Sequence, residues 1–101
     1  MTAAVFSQQA SRDLLDAVRW ITKDNPTAAR GLRNAVVKAA DRIGAHPEAG
    51  IVRPELVDEP VRFMTLTGYP YVIVYDSSLR PPLILRLLHG ARDFPNVLRG
   101  P

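Results

Sequence analysis

The 101 residues include no cysteine and only two histidines. Without thiols there is neither a disulfide framework nor a thiolate nucleophile, and two separated histidines cannot build a Cys/His zinc site, so no metal centre is expected. Long hydrophobic runs are also missing. The apolar stretches near Tyr71 and Leu83 are too short to span a bilayer, and the opening MTAAVFSQQASR has no basic leader followed by an apolar core. These absences lead to the expectation of a cytoplasmic protein with no membrane partner. Net charge is small, +3, which argues against a dedicated nucleic-acid coat and leaves room for a local site. The length suits one domain, residues 1–101, with one core. No Walker loop, dinucleotide glycine fingerprint, nucleophile elbow or zinc-protease helix occurs, so no cofactor is expected.

What charge there is lies unevenly. Residues 1–60 hold eight Lys/Arg and eight Asp/Glu, whereas residues 61–101 hold five Arg and two Asp. All the net charge therefore sits in the C-terminal part. Eleven of the thirteen cations are arginine, whose planar donor fork suits carboxylate, phosphate or backbone recognition; high-GC coding would give the same bias.

Thr2 to Phe6 form a short β-capable run ending at Ser7, a good helix N-cap. Ala10, Leu14, Ala17, Val18 and Ile21 then repeat at helical spacing, predicting a first amphipathic helix over residues 7–23. Asn25-Pro26 reads as cap and first helical position of a second helix, whose stripe is Ala29, Leu32, Val36, Ala39, Ala40 and Ile43. Gly44 falls where a left-handed terminal residue would sit. Residues 44–60 contain three prolines and two glycines without a sustained period, the pattern of a Pro-stiffened crossover or of a functional loop. Three β-like runs follow, at 61–66, 71–76 and 83–89, rich in branched and aromatic residues. The turns between them are short enough only for antiparallel pairing. The predicted fold class is α+β: an N-terminal strand and a two-helix hairpin packed on a small antiparallel β-sheet, with the other sheet face partly open.

Function is sought on that open face. Strict alternation in the last run sets Leu83, Leu85, Leu87 and His89 on one side and Ile84, Arg86 and Leu88 on the other. His89 thus continues an apolar row, as a strand-end residue or as a general acid or base. Arg86 interrupts a row, so it is either paired or turned to the uncovered side. Arg62 is a second candidate for that side, and two arginines with a histidine there would hold a phosphate, a carboxylate or a helix end. Arg92 and Asp93 form either a local ion pair at the strand exit or, through Asp93, a support for the histidine ring. Tyr69, Tyr71 and Tyr75 read as packing residues, with base stacking or proton transfer as the functional alternative.

The order and spacing of FSQQASRDLLDAVRWI, NPTAARGLRNAV, HPEAGIVRPELVDEPVRFM, YPYVIVY and ILRLLHGARDFPNVL resemble the RelE/ParE superfamily of bacterial toxins, and its ParE branch in particular. The resemblance covers nearly the whole chain, and the Leu-His-Gly-any-Arg-Asp ending is its most specific part. It implies two N-terminal helices on a small antiparallel sheet. It further implies a toxin of a type II toxin–antitoxin system, of the plasmid-stabilising kind, neutralised by a cognate ParD-like antitoxin in a hetero-oligomer. The antitoxin would wrap the toxin, burying apolar surface on the helical hairpin or the sheet edge. Operator DNA would be bound only through the antitoxin's ribbon-helix-helix region. ParE toxins are known to inhibit DNA gyrase rather than cut messenger RNA, so the resemblance implies growth inhibition without catalysis. Candidate contacts to the target are then Arg86, Arg92, Arg99 and Arg53. Under the alternative, a RelE-like ribosome-dependent endoribonuclease, the catalytic set would be His89, Arg62, Arg86 and Arg92. That set departs from the ribonuclease pattern, because no tyrosine follows His89 and no lysine follows Lys38.

Overall fold

The computed structural model describes residues 2–90 and Asp93. Strand β1 (Val5–Phe6) leads into helix α1 (Gln8–Thr22) and helix α2 (Pro26–Ala45); a 3-10 turn (Pro47–Ala49) follows, then β2 (Val61–Thr65), β3 (Tyr71–Asp76) and β4 (Leu83–His89). Both helices start where the capping residues require. Ser7 is extended, and its Oγ accepts the Ala10 amide at 3.0 Å; Asn25 Oδ1 accepts the Ala28 amide at 3.0 Å, with Pro26 in the first turn. The Ser7 hydroxyl also donates to the Leu85 carbonyl at 3.0 Å, so one side chain caps α1 and ties it to β4.

All six residues of the α2 stripe, Ala29, Leu32, Val36, Ala39, Ala40 and Ile43, are buried. Leu32, Val36, Ala39, Ala40 and Ile43 pack with Ala10 and Ala17 of α1 on one sheet face, against Met64, Tyr71, Ile73, Tyr75, Ile84 and Leu87. Small residues on α1 let the hairpin lie close to the strands.

The sheet runs in the order β1-β4-β3-β2. β2, β3 and β4 form the expected antiparallel meander, while β1 pairs with β4 in parallel, Val5 opposite Leu83 and Phe6 opposite Ile84. The sheet is therefore mixed. β1 is shorter than the run that predicts it, because the Ala4 amide bonds to the Ala40 carbonyl of α2 at 2.9 Å rather than to a strand.

Three further features differ from the sequence reading. Gly44 lies inside α2, which continues to Ala45 and is capped by His46, with the His46 amide on the Arg42 carbonyl. It is glycine because the N-terminal chain crosses the helix there: a Cβ would run into the Thr2 carbonyl oxygen and the Ala3 backbone. Strict alternation in β4 fails as well. The register shifts beside Val74 and Tyr75, whose partners are Arg86 and Ile84, leaving Leu85 as a bulge. Ile84 and Leu87, three positions apart, consequently share the main core, and Leu88 faces the other way. Finally, the face away from the helices is not open. Phe63, Val74 and Leu88 are buried there, with Leu56 and Val57 of the crossover and Val61 and Val72 packed against them.

Ala normally favours a helix interior over Gly by about 1 kcal/mol. Gly44→Ala is expected to have the opposite sign here, lowering stability by about 1–3 kcal/mol through displacement of the crossing chain. Urea unfolding of the two proteins checks it.

Candidate functional site

Asp13 stands on α1 and faces β4. Its Oδ2 accepts the Arg86 Nε at 2.8 Å and the Leu87 amide at 3.0 Å, while Oδ1 accepts the Arg86 Nη2 at 3.2 Å and the Gln9 Nε2 at 3.0 Å. The guanidinium is gripped at two nitrogens, and the same carboxylate satisfies an amide just past the bulge. Asp13 keeps only 10% of its side chain exposed and Arg86 30%. Of the two alternatives for an arginine between leucines, the structure selects pairing. Hydrogen bonding to Asp13 holds the Arg86 proton even more tightly than usual. Beside the pair a groove of about 370 Å³ is walled by Asp16, Trp20, Tyr71 and Asp93.

Arg62 has a different post. It pairs with Tyr75 across the β2–β3 ladder, on the face that carries the main core. Its Nη1 donates to the Gly50 carbonyl at 2.9 Å and approaches the Glu48 carbonyl at 3.4 Å, and its Nη2 lies 3.5 Å from Glu59. Its Nε is buried without a hydrogen-bond partner. Tyr75, fully buried, serves the same segment: its hydroxyl donates to the Pro47 carbonyl at 2.6 Å and accepts the Gly50 amide at 2.8 Å. Together these two side chains clamp the 3-10 turn onto the sheet. Tyr75 is thus a packing residue whose polar tip has a second task.

His89 ends β4 opposite Tyr71, its ring edge-on to that ring with centroids 5.4 Å apart. The Asp93 carboxylate accepts the His89 amide at 2.9 Å, and the Asp93 amide donates to the His89 carbonyl at 2.8 Å. The strand exit is therefore closed by a backbone clasp that includes Asp93. Arg53 is half-exposed and bonded to the exposed Glu55 at 2.7 Å, a contact that lowers the Glu55 pKa. Arg92 and Arg99 lie outside the described residues.

Arg62, Arg86 and His89 lie on the helix-covered side of the sheet but do not converge on one point. Arg62 and His89 flank β3 on opposite edges, opposite Tyr75 and Tyr71 respectively, which sets them about 13 Å apart along the strand direction alone. Two further surface grooves stand out among the described residues. One lies on the outside of the helical hairpin, about 430 Å³, lined by Ser11, Leu14, Leu15, Val18 and Arg33, with Leu15 half-exposed. The other, about 270 Å³, lies between α2 and the edge of β2. The first could have been anticipated, since Leu15 and Val18 are apolar positions beside the buried stripe of α1. Among the described residues no group of His, Asp and Glu is arranged to hold a metal ion, and no helix is long and apolar enough to cross a membrane.

Asp13→Ala removes the acceptor of the Leu87 amide together with the Arg86 partner, and is expected to cost about 1–3 kcal/mol; Asp13→Asn recovers part of that, as denaturant melts would show. Burial pushes the Tyr75 hydroxyl above the ordinary tyrosine pKa of 10.0. The folded chain then keeps a proton that the unfolded chain releases. Stability from this source is whole below about pH 10 and falls as pH rises towards the higher folded value. Tyr75→Phe is expected to be less stable at neutral pH, through two lost hydrogen bonds, and to show a shallower alkaline decline in stability measured against pH.

The family model described as "ParE toxin of type II toxin-antitoxin system, parDE" matches residues 4–94. A protein of Sinorhizobium fredii (strain NBRC 101917 / NGR234), named "Putative toxin Y4kP", is 32% identical over 93 residues, covering 92% of this chain and 93% of that one. In fold the chain is similar to a solved chain of "Chromosomal ParDE TA system from P. aeruginosa", with a TM-score of 0.68 at 23% identity, over 88% of this chain and 96% of that one. By the extent of the family match and the identity to the Sinorhizobium protein, the chain belongs to the ParE toxin family of type II toxin–antitoxin systems.

Proposed function

We propose that this toxin acts by binding DNA gyrase and blocking replication, with no chemistry of its own, and that a ParD-like antitoxin neutralises it. The observation that carries the reading is the employment of the polar side chains. Arg86 is held by Asp13, Arg62 by the carbonyls of Glu48 and Gly50, and His89 stands edge-on to Tyr71. A ribonuclease needs such groups converging on one phosphodiester, whereas here they hold the sheet, the bulge and the crossover in place. A rigid fold presenting a surface is what a binding inhibitor requires.

The antitoxin reading is supported by the groove on the hairpin. Leu14, Leu15 and Val18 give it an apolar floor and Arg33 a cationic rim, the form that takes the apolar face of a partner's amphipathic helix. Operator DNA enters only through the antitoxin's ribbon-helix-helix region. Candidate contacts to gyrase remain Arg53, Arg86, Arg92 and Arg99, of which Arg53 is the more exposed among the described ones.

Induction in a bacterial host without antitoxin is expected to give filamentation and a DNA-damage response; immediate translation arrest with cleaved messages would overturn the reading. His89→Ala is expected to keep toxicity within a few-fold of the parent, with circular dichroism checked in parallel, because no proton transfer is asked of it. Leu15→Glu is expected to weaken antitoxin binding by about tenfold or more, a charge being set into an apolar contact. Its toxicity should be unchanged. Titration calorimetry and growth curves read the two effects separately.

A further inference from the structure

The groove of about 370 Å³ between α1 and the end of β4 has a sign opposite to that of the chain. The chain carries +3, yet three carboxylates, Asp13, Asp16 and Asp93, line this groove with one cation, Arg86. Asp13 and Arg86 cancel, being joined at 2.8 Å. The excess is therefore negative. Asp93 is engaged by the His89 amide, whereas Asp16 is exposed and makes no ion pair among the described residues.

Surface carboxylates alone are ordinarily just solvated and select no ligand. Trp20 supplies the selection. It is the chain's only tryptophan and keeps 62% of its surface exposed, although tryptophans are on average well buried. It stands one helical turn beyond Asp16 on the same groove wall. Its ring already holds one cation: Lys23 Nζ, outside the groove lining, lies 5.5 Å from the ring centroid. Between this wall and the strand the floor is apolar, formed by the buried Ala17, Tyr71 and Leu87. The backbone of β4 has nothing to offer here, because Asp13 takes the Leu87 amide and Ser7 the Leu85 carbonyl. The groove is thus built for a side chain and not for a strand.

The matching side chain has a flat cationic head and an apolar stem. Arginine has both, since its guanidinium stacks on aromatic planes and meets a carboxylate with two nitrogens; lysine has the stem without the plane. Arg86 on Asp13 shows the same two-nitrogen grip at this groove.

We propose that the groove receives an arginine presented by a partner protein, its guanidinium on Trp20 and paired with Asp16, its stem over Ala17 and Leu87. The site is separate from the hairpin groove and from the outer edge of β2. It does not rest on the gyrase reading, and its test uses only the purified chain.

The probe is N-acetyl-arginine N-methylamide, titrated into the full chain at low salt while the Trp20 indole N–H resonance is followed. Saturable binding is expected with a half-point near 10 mM, as one exposed ion pair and one ring contact supply. The lysine analogue should bind about three- to tenfold more weakly. The citrulline analogue, similar in shape and uncharged, should not saturate. Asp16→Asn should weaken binding by about threefold or more. Trp20→Leu should abolish it, followed at the Leu87 amide, with the thermal midpoint little changed because the ring is mostly exposed. Arg92→Gln, Arg99→Gln should bind the probe within about threefold of the parent. No saturation, equal binding of the citrulline analogue, binding that survives Trp20→Leu, or clearly tighter binding by the arginine double variant, the sign that the chain fills its own groove, overturns the proposal.

Discussion

A single carboxylate joins the helical layer to the sheet. Asp13 reaches across from α1 to take two nitrogens of Arg86 and the amide of Leu87, and so fixes the helix at the one place where β4 departs from regular pairing. β1 ends at Phe6, so the outward backbone groups of β4 beyond it meet no strand, and here the Leu87 amide and the Leu85 carbonyl of the bulge are met by side chains of α1 and its cap, Asp13 and Ser7. The irregular strand and the helix that covers it are thus mutually dependent. Burying a charge is tolerated because Asp13 accepts donors at both oxygens, and because Arg86 retains some contact with water.

The opposite end of the sheet is organised by a second polar contact. Arg62 and Tyr75, cross-strand neighbours, hold the turn after α2, which directs the rest of the crossover over the far face. Leu56 and Val57 then cover Phe63, Val74 and Leu88. β3 is consequently buried on both sides, which accounts for its nearly continuous apolar sequence YVIVYD.

Much of the architecture was legible. The caps at Ser7 and Asn25, the six-residue stripe of α2 and the three strands of the meander are local signals, and local signals survive because side chains there do what their neighbours along the chain imply. What was not legible depends on partners far away in sequence. Arg86 announced itself as an anomaly, but its partner stands 73 positions earlier among several polar residues of α1, and nothing in their spacing singles out Asp13. The bulge at Leu85 is silent, because LILRLLH fits strict alternation equally well. Gly44 looked like a helix terminus, whereas its reason is a backbone crossing that no periodicity encodes. The apolar residues of the crossover, Leu56 and Val57, lie in a Pro-rich stretch without a period, so the second core could not be inferred. Of the candidate site, residue identities were visible; their duties were not.

The pairing of β1 with β4 has a consequence for the order of events as the chain is made. Val5 waits for Leu83, and Ser7 waits for the Leu85 carbonyl, 78 positions later in each case. Asp13 likewise has no partner until Arg86 exists. The first elements synthesised therefore acquire their anchors from the last strand, and a growing or truncated chain that stops short of β4 holds a helical hairpin with nothing to rest on.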